Sequence, residues 1–368
     1  MKKILIVGAG LTGATLARTL AESGCQIEVI DERNHVAGNC HTETDPETGI
    51  MIQKYGAHIF HTDQDQIWSF VNRFSVFMPF NHKVKTISNQ KVYSLPINLM
   101  TINQFFSRAF SPAEAREYLT ALTNQDLPYQ DNFEGRLQKL IGTELYAAFF
   151  YGYTKKQWGR QPRELPASIF ERLPIRFNYN DDYFNNRYQG LPELGYTDLV
   201  SKMLDLPNIT VSLNTAYHQS LKHGFDHVFY SGPLDRYFGY SYGRLPYRTV
   251  DFQWFRAADD YQGCAVMNYS DELIPWTRII EHKHFTYWHN FEDTVCCREI
   301  PKECGESDTP YYPVRFASNN DLLAQYQALA SAERALTFVG RLGAFKYLDM
   351  DKAINEALEV ARWYLQTL

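Results

Sequence analysis

The chain has 368 residues, 45% of them hydrophobic and 21% charged, with a formal net charge of −6. That is room for two or three packed units with sizeable cores. The acid excess argues against a duplex nucleic-acid partner, which favours a basic face, and no apolar run is long enough to span a bilayer, so neither nucleic acid nor membrane is an expected partner.

In chain order, Ile4 to Val7 form an apolar run that reads as a buried strand, followed at once by Gly8-Ala9-Gly10-Leu11-Thr12-Gly13 and an alanine-rich helical pattern. A second apolar run, Ile27 to Ile30, ends on Asp31. Strand, glycine turn, helix, strand and acid in this order mark a dinucleotide-binding unit. Gly8, Gly10 and Gly13 give a tight turn, close approach of main chain to a pyrophosphate, and close helix–strand packing. The helix N-terminus attracts the phosphates, and Asp31 is placed to bond a ribose hydroxyl. The continuation Glu32-Arg33-Asn34-His35-Val36-Ala37-Gly38-Asn39, an arginine followed by a small-residue turn, suits FAD better than a soluble NAD site. Tyr55 to Thr62 then supplies a glycine loop beside two histidines, His58 and His61. Lys2-Lys3 before the first apolar run mimics a signal peptide, but the glycines cut that run short. Six scattered cysteines without a CxxC pair read as free thiols in a reducing cytoplasm.

Ser111-Pro112-Ala113-Glu114 is a helix start with a capping serine, a first-position proline and a glutamate reaching back. Residues 95–160 read as mainly helical. From Thr249 to about Phe285, aromatic and β-branched residues alternate as in an antiparallel sheet. Residues 319–330 and 350–368 return to helical periodicity, and strands are expected at 335–339 and at Phe229-Tyr230 before Gly232-Pro233. The fold expected is α/β: a discontinuous FAD-binding Rossmann-like domain (1–80, 205–240 and 320–368), an inserted helical domain (95–160), and an antiparallel β-sheet domain (81–94, 161–204 and 241–319) with a mobile lid near 161–180.

Seven segments carry a family resemblance: YGAHIFHT (55–62), GYTKKQWGR (152–160), ELPASIFERLPIRF (164–177), YFNNRYQG (183–190), TRIIEHKHF (277–285), PYYPV (310–314) and GRLGAFKYLDM (340–350). On these the chain resembles the bacterial UDP-galactopyranose mutases over nearly its whole length. The resemblance implies reduced FAD as the active cofactor and a sugar nucleotide as substrate. Flavin N5 would attack the anomeric carbon as the nucleoside diphosphate leaves, the ring would open, and the 4-hydroxyl would reclose it. That chemistry needs no serine, cysteine or carboxylate pair. It also implies a reductant such as NAD(P)H and a homodimer. The same chemistry on dTDP-fucose or UDP-N-acetylgalactosamine, and a flavin amine oxidase-like activity, are the alternatives.

The resemblance assigns residues as well. Phe149, Tyr153 and Trp158 would flank the base, with Asn268 bonding the nucleotide. Arg172 and Arg278 would hold the diphosphate, helped by the hydroxyls of Tyr183, Tyr312 and Tyr347, and Arg248 is a further site arginine. Gly8, Gly10, Gly13, Asp31, Arg33 and Asn39 would hold the adenosine and pyrophosphate end of FAD. Arg341, Asp349 and Met350 would lie beside the flavin. His58 is a catalytic candidate in the glycine loop and His82 a substrate-binding one. Arg176 reads as a solvated charge, and Arg172 as part of the lid. No metal set is visible, since His282-Lys283-His284 is too short and lacks a third partner. One departure stands out: Ala37 occupies a position where the family has glycine, which is tolerable only if its φ is negative.

Overall fold

Apolar runs with no polar alternation need cover on both faces, and the chain meets that need with a five-stranded parallel sheet. The computed structural model describes residues 1–123, 131–167, 174–315 and 319–368. The sheet runs 209–212, 26–30, 3–7, 227–230, 336–338, every neighbouring pair parallel. Ile4, Ile6 and Val29 are fully buried, packed with Ala14, Ala17 and Leu20 of the helix Leu11–Glu22 and with Ile354 and Ala361 of the helix Met350–Gln366. Three of the five strands come from distant parts of the chain, so everything between residues 31 and 209 and between 230 and 336 is inserted into this frame.

One insertion is helical: Leu99–Phe106, Pro112–Thr123, Phe133–Tyr146, a wider π turn at Ala147–Tyr151, and Gly152–Trp158. The start at Ser111 forms as a reciprocal box: Ser111 N–H donates to Glu114 Oε2 at 2.7 Å and Glu114 N–H to Ser111 Oγ at 3.4 Å. The other is a seven-stranded sheet in the order 312–313, 247–258, 293–303, 278–281, 266–269, 84–88, 91–95. It is antiparallel except where 266–269 runs parallel to 84–88. Residues 188–204, placed with this sheet on the sequence alone, go elsewhere. The strand Tyr188–Pro192 pairs with 60–62 and 77–79. The helix Gly195–Leu204 packs on the helix Leu11–Glu22, and Thr197 Oγ1 donates to Thr42 O at 2.7 Å. Among the described residues no helix is long and apolar enough to cross a membrane.

Candidate active site

The carboxyl ends of the parallel strands open onto a cleft of about 510 Å³. Its floor is main chain. A Cβ on Gly13 would stand 1.9 Å from Gly8 O, and one on Gly8, whose φ is +107°, would stand 2.0 Å from Ser231 Oγ. The helix that follows has Gly10 as its N-cap and no capping side chain, so its first N–H groups face the cleft without a protein partner. Arg33 closes one side: Nη2 donates to Asn39 Oδ1 at 3.0 Å and the guanidinium lies 4.8 Å above the Tyr55 ring, while Nη1 is buried without a partner. A backbone cradle, a free helix N-terminus and an orphaned guanidinium nitrogen fit a dinucleotide pyrophosphate.

The structure adds detail at the acids of this cleft and overturns the expectation at Ala37. Asp31 accepts Ala9 N–H on Oδ2 at 2.8 Å and Arg33 N–H on Oδ1 at 2.9 Å, so its carboxylate ties the glycine turn to the loop after the second strand. Its neighbour Glu32, half-exposed, lines the cleft as well, with its carboxylate 2.8 Å from Arg236. Ala37 is left-handed, with φ 71° and ψ −1°, and almost fully buried. Its N–H donates to Ala9 O at 2.9 Å, and that bond holds the residue where an alanine is strained by about 1 kcal/mol or more.

A second cleft, of about 490 Å³, adjoins the first. His58, Arg341 and Met350 line both. Asp349 borders the second cleft as N-cap of the last helix. Beyond it, Tyr153, Tyr183, Asn268, Arg278, Tyr312 and Tyr347 are shared with a third, apolar pocket of about 250 Å³ that adds Phe149 and Trp158. The three form one trough, running from the glycine cradle through a ring of hydroxyls and cations to an aromatic end.

Arg278 sits on the strand Arg278–Glu281, in register with Asn268 on one side and Glu299 on the other. Its Nε donates to Glu299 Oε2 at 2.5 Å. Burial opposes its charge, but the Glu299 carboxylate beside it outweighs that and holds the guanidinium protonated above its ordinary range. Glu299 had no signal in the sequence; only strand register reveals it. Burial keeps the Tyr153 and Tyr312 hydroxyls protonated, hence able to donate. Tyr312 stacks on Tyr347 at 5.8 Å, and the Arg341 guanidinium lies over both rings while Nη2 donates to Leu348 O at 2.6 Å.

Both histidines are neutral at neutral pH. Burial, with Arg341 and Arg278 adding to it, lowers His58 to about 4, against the opposing pull of Gly56 O. Its Nδ1 is 2.8 Å from that carbonyl, so Nδ1 carries the proton and Nε2 keeps a lone pair. Gln53 Oε1 accepts the His58 N–H and fixes the loop. His82 falls to about 3, through burial first and then Arg278 and His61, and its Nδ1 has no partner. It meets the Tyr183 ring edge-on at 5.4 Å.

Two arginines depart from expectation. Arg248 lies outside the trough: its Nε donates to Gln157 O and its Nη2 to Lys156 O, each at 3.0 Å, capping the C-terminus of the helix Gly152–Trp158 as a cation does favourably. Arg176 is not a solvated charge. It is buried, its Nη1 donating to Asn180 O at 3.3 Å and to Asp182 O and its Nη2 to Asn185 Oδ1, and so it braces the loop that carries Tyr183. Arg172 and the centre of the expected lid, 168–173, lie outside the described residues. The third partner that His284 lacked in sequence exists in space, since Asp260, Glu281 and His284 place ligand atoms within 4.8 Å of one another. Lys283 Nζ, 2.8 Å from Asp260 Oδ1, already balances that group.

A Rossmann-like cradle that opens through shared residues into a basic, ring-lined trough defines a dinucleotide-dependent α/β enzyme. Residues 6–74 match the family model of the NAD(P)-binding Rossmann-like domain, and residues 148–347 match that of UDP-galactopyranose mutase. The chain is 49% identical over its full length to a Klebsiella pneumoniae protein named "Probable UDP-galactopyranose mutase", covering 96% of it. It is 46% identical to a dTDP-fucopyranose mutase of Escherichia coli, covering all of this chain and 99% of that one. A crystal structure of reduced UDP-galactopyranose mutase shares the fold, with a TM-score of 0.79 at 16% identity over all of this chain and 96% of that one. The chain belongs to the UDP-galactopyranose mutase family, whose members are isomerases that work with a flavin.

Proposed function

We propose that this protein interconverts UDP-galactopyranose and UDP-galactofuranose with FAD in its reduced form. Gly8, Gly10, Gly13, Arg33 and Asn39 would hold the pyrophosphate, Asp31 the ribose, and Arg341, Asp349 and Met350 the flavin end. Bound there, a reduced flavin supplies nucleophilic character toward an anomeric carbon with no net transfer of electrons. The residues of the chain do the rest. Arg278 binds the diphosphate and stabilises it as a leaving group, and Tyr183, Tyr312 and Tyr347 donate hydroxyls to its oxygens. Phe149, Tyr153, Trp158 and Asn268 take the base, and His58 Nε2 accepts a hydrogen bond from a sugar hydroxyl. The observation that carries this reading is that His58, Arg341 and Met350 line both the glycine cradle and the arginine–tyrosine cleft, so that cofactor and substrate diphosphate meet at one junction.

The purified protein should show a flavin spectrum and convert UDP-galactopyranose only after reduction, by dithionite or by NAD(P)H. A colourless protein that refuses added FAD overturns the reading, and steady oxygen uptake marks an oxidase instead. The 46% identity to a dTDP-fucopyranose mutase favours a second substrate, and dTDP-fucopyranose in the same assay separates the two. A homodimer in a reducing cytoplasm is the expected setting, and light scattering in solution checks the dimer.

A further inference from the structure

The strongest unused cluster lies behind the trough. On the helix Gly152–Trp158, Tyr153 faces the trough, while Lys156 borders a separate cleft with Arg248 and Gly159. Lys156 Nζ lies 2.8 Å from Tyr269 O, 2.7 Å from Asp271 O, 3.0 Å from Ile274 O and 3.0 Å from Trp276 O. The first is the last carbonyl of the strand Val266–Tyr269, and the other three belong to the turn that joins it to the strand Arg278–Glu281. An ammonium has three N–H groups, so four acceptors share three protons and the turn is tied to the helix at both ends and in the middle. Two neighbours close the same joint: Lys155 Nζ is 2.5 Å from Glu272 Oε2, and a Cβ on Gly152 would stand 2.2 Å from Ser270 O.

The turn lies between Tyr269 and Arg278, and Asn268 and Arg278 face each other across the two strands. We propose that Lys156 is a positioning residue that sets the spacing between the base-flanking ring of Tyr153 and the diphosphate-binding Arg278, by locking the helix to the turn that aims the arginine. It touches no substrate atom. Its effect arises because a nucleoside diphosphate engages both places at once. Two subsites held in register act as one bivalent site, and slack between them weakens a ligand that spans both more than a ligand that occupies one. This inference rests on reading the trough as a sugar-nucleotide site.

The test measures binding of UDP, uridine and inorganic pyrophosphate to the flavin-loaded protein. Lys156→Met keeps the apolar stem and removes the donors. It should weaken UDP at least tenfold and change uridine and pyrophosphate by less than threefold, and Lys156→Arg should recover most of the loss. Gly152→Ala, which pushes the same joint apart from the helix side, should give the same signature and serves if Lys156→Met does not fold. Unchanged UDP affinity in folded variants, or an equal loss for all three ligands, overturns the positioning role. Wild-type protein that binds neither UDP nor dTDP overturns the reading of the trough instead.

Discussion

The two clefts that meet at His58 are made of different materials. The cofactor cleft is main chain: glycines whose missing side chains leave room, a bare helix N-terminus, and Asp31 occupied in holding N–H groups. The trough beyond it is side chain: rings, one buried ion pair and two neutral histidines, drawn from strands and helices more than a hundred residues apart. A backbone cradle tolerates no added atom but needs little support. A side-chain cleft tolerates small changes but depends on each partner that aims a group into it.

The sharpest way to separate the two is Gly13→Val. Its side chain would run into Gly8 O, and flavin should be lost altogether, read as absence of the yellow absorbance, while UDP still binds the trough. Arg278→Ala should do the reverse. FAD stays bound, and turnover falls by about a thousandfold, on the order of 4 kcal/mol, because a phosphate contact is lost and Glu299 is left as an unpaired buried carboxylate. Near-normal turnover at saturating substrate would remove Arg278 from the mechanism.

Acid should weaken the fold through its buried histidines, two of which line the trough. Burial lowers His58 to about 4 and His82 to about 3, whereas both titrate near 6.5 in the unfolded chain. The unfolded state therefore binds protons that the native state refuses. Stability is complete above about pH 6.5 and falls as the pH drops toward 4, by up to about 1.4 kcal/mol per pH unit for each histidine. Urea unfolding at pH 7, 6 and 5 reads that slope, and His82→Phe should make it shallower. The smallest effect belongs to the cradle: Ala37→Gly relieves a left-handed alanine and should raise stability by about 1 kcal/mol without changing turnover.

The arginines show how far the sequence could be read. Arg278 and Arg341 were recognisable because they stand in diagnostic motifs, and both border the trough. Arg248 stands in the sequence as a site residue, yet the carbonyls at the end of the helix Gly152–Trp158 capture it. Arg176 has the look of a surface charge, yet the loop 180–185 closes over it. In both cases the partners are carbonyl or amide oxygens, which every residue or many residues can offer, so no residue type announced them. Glu299 was silent for another reason: its meaning depends on which strand lies beside it.

What the sequence determined alone is whatever local sterics impose: the strand–glycine–helix unit, the capping box at Ser111, the helical stretch 95–160 and the alternation after Thr249. These follow from torsional freedom and side-chain period over a few residues. What only the tertiary structure decided is which groups face one another: the join of the clefts at His58, the pairing of Arg278 with Glu299, the left-handed turn at Ala37 and the four carbonyls around Lys156. Those depend on strand register and on packing between distant segments, where a shift of a few ångströms exchanges one partner for another while the local pattern of residues stays the same.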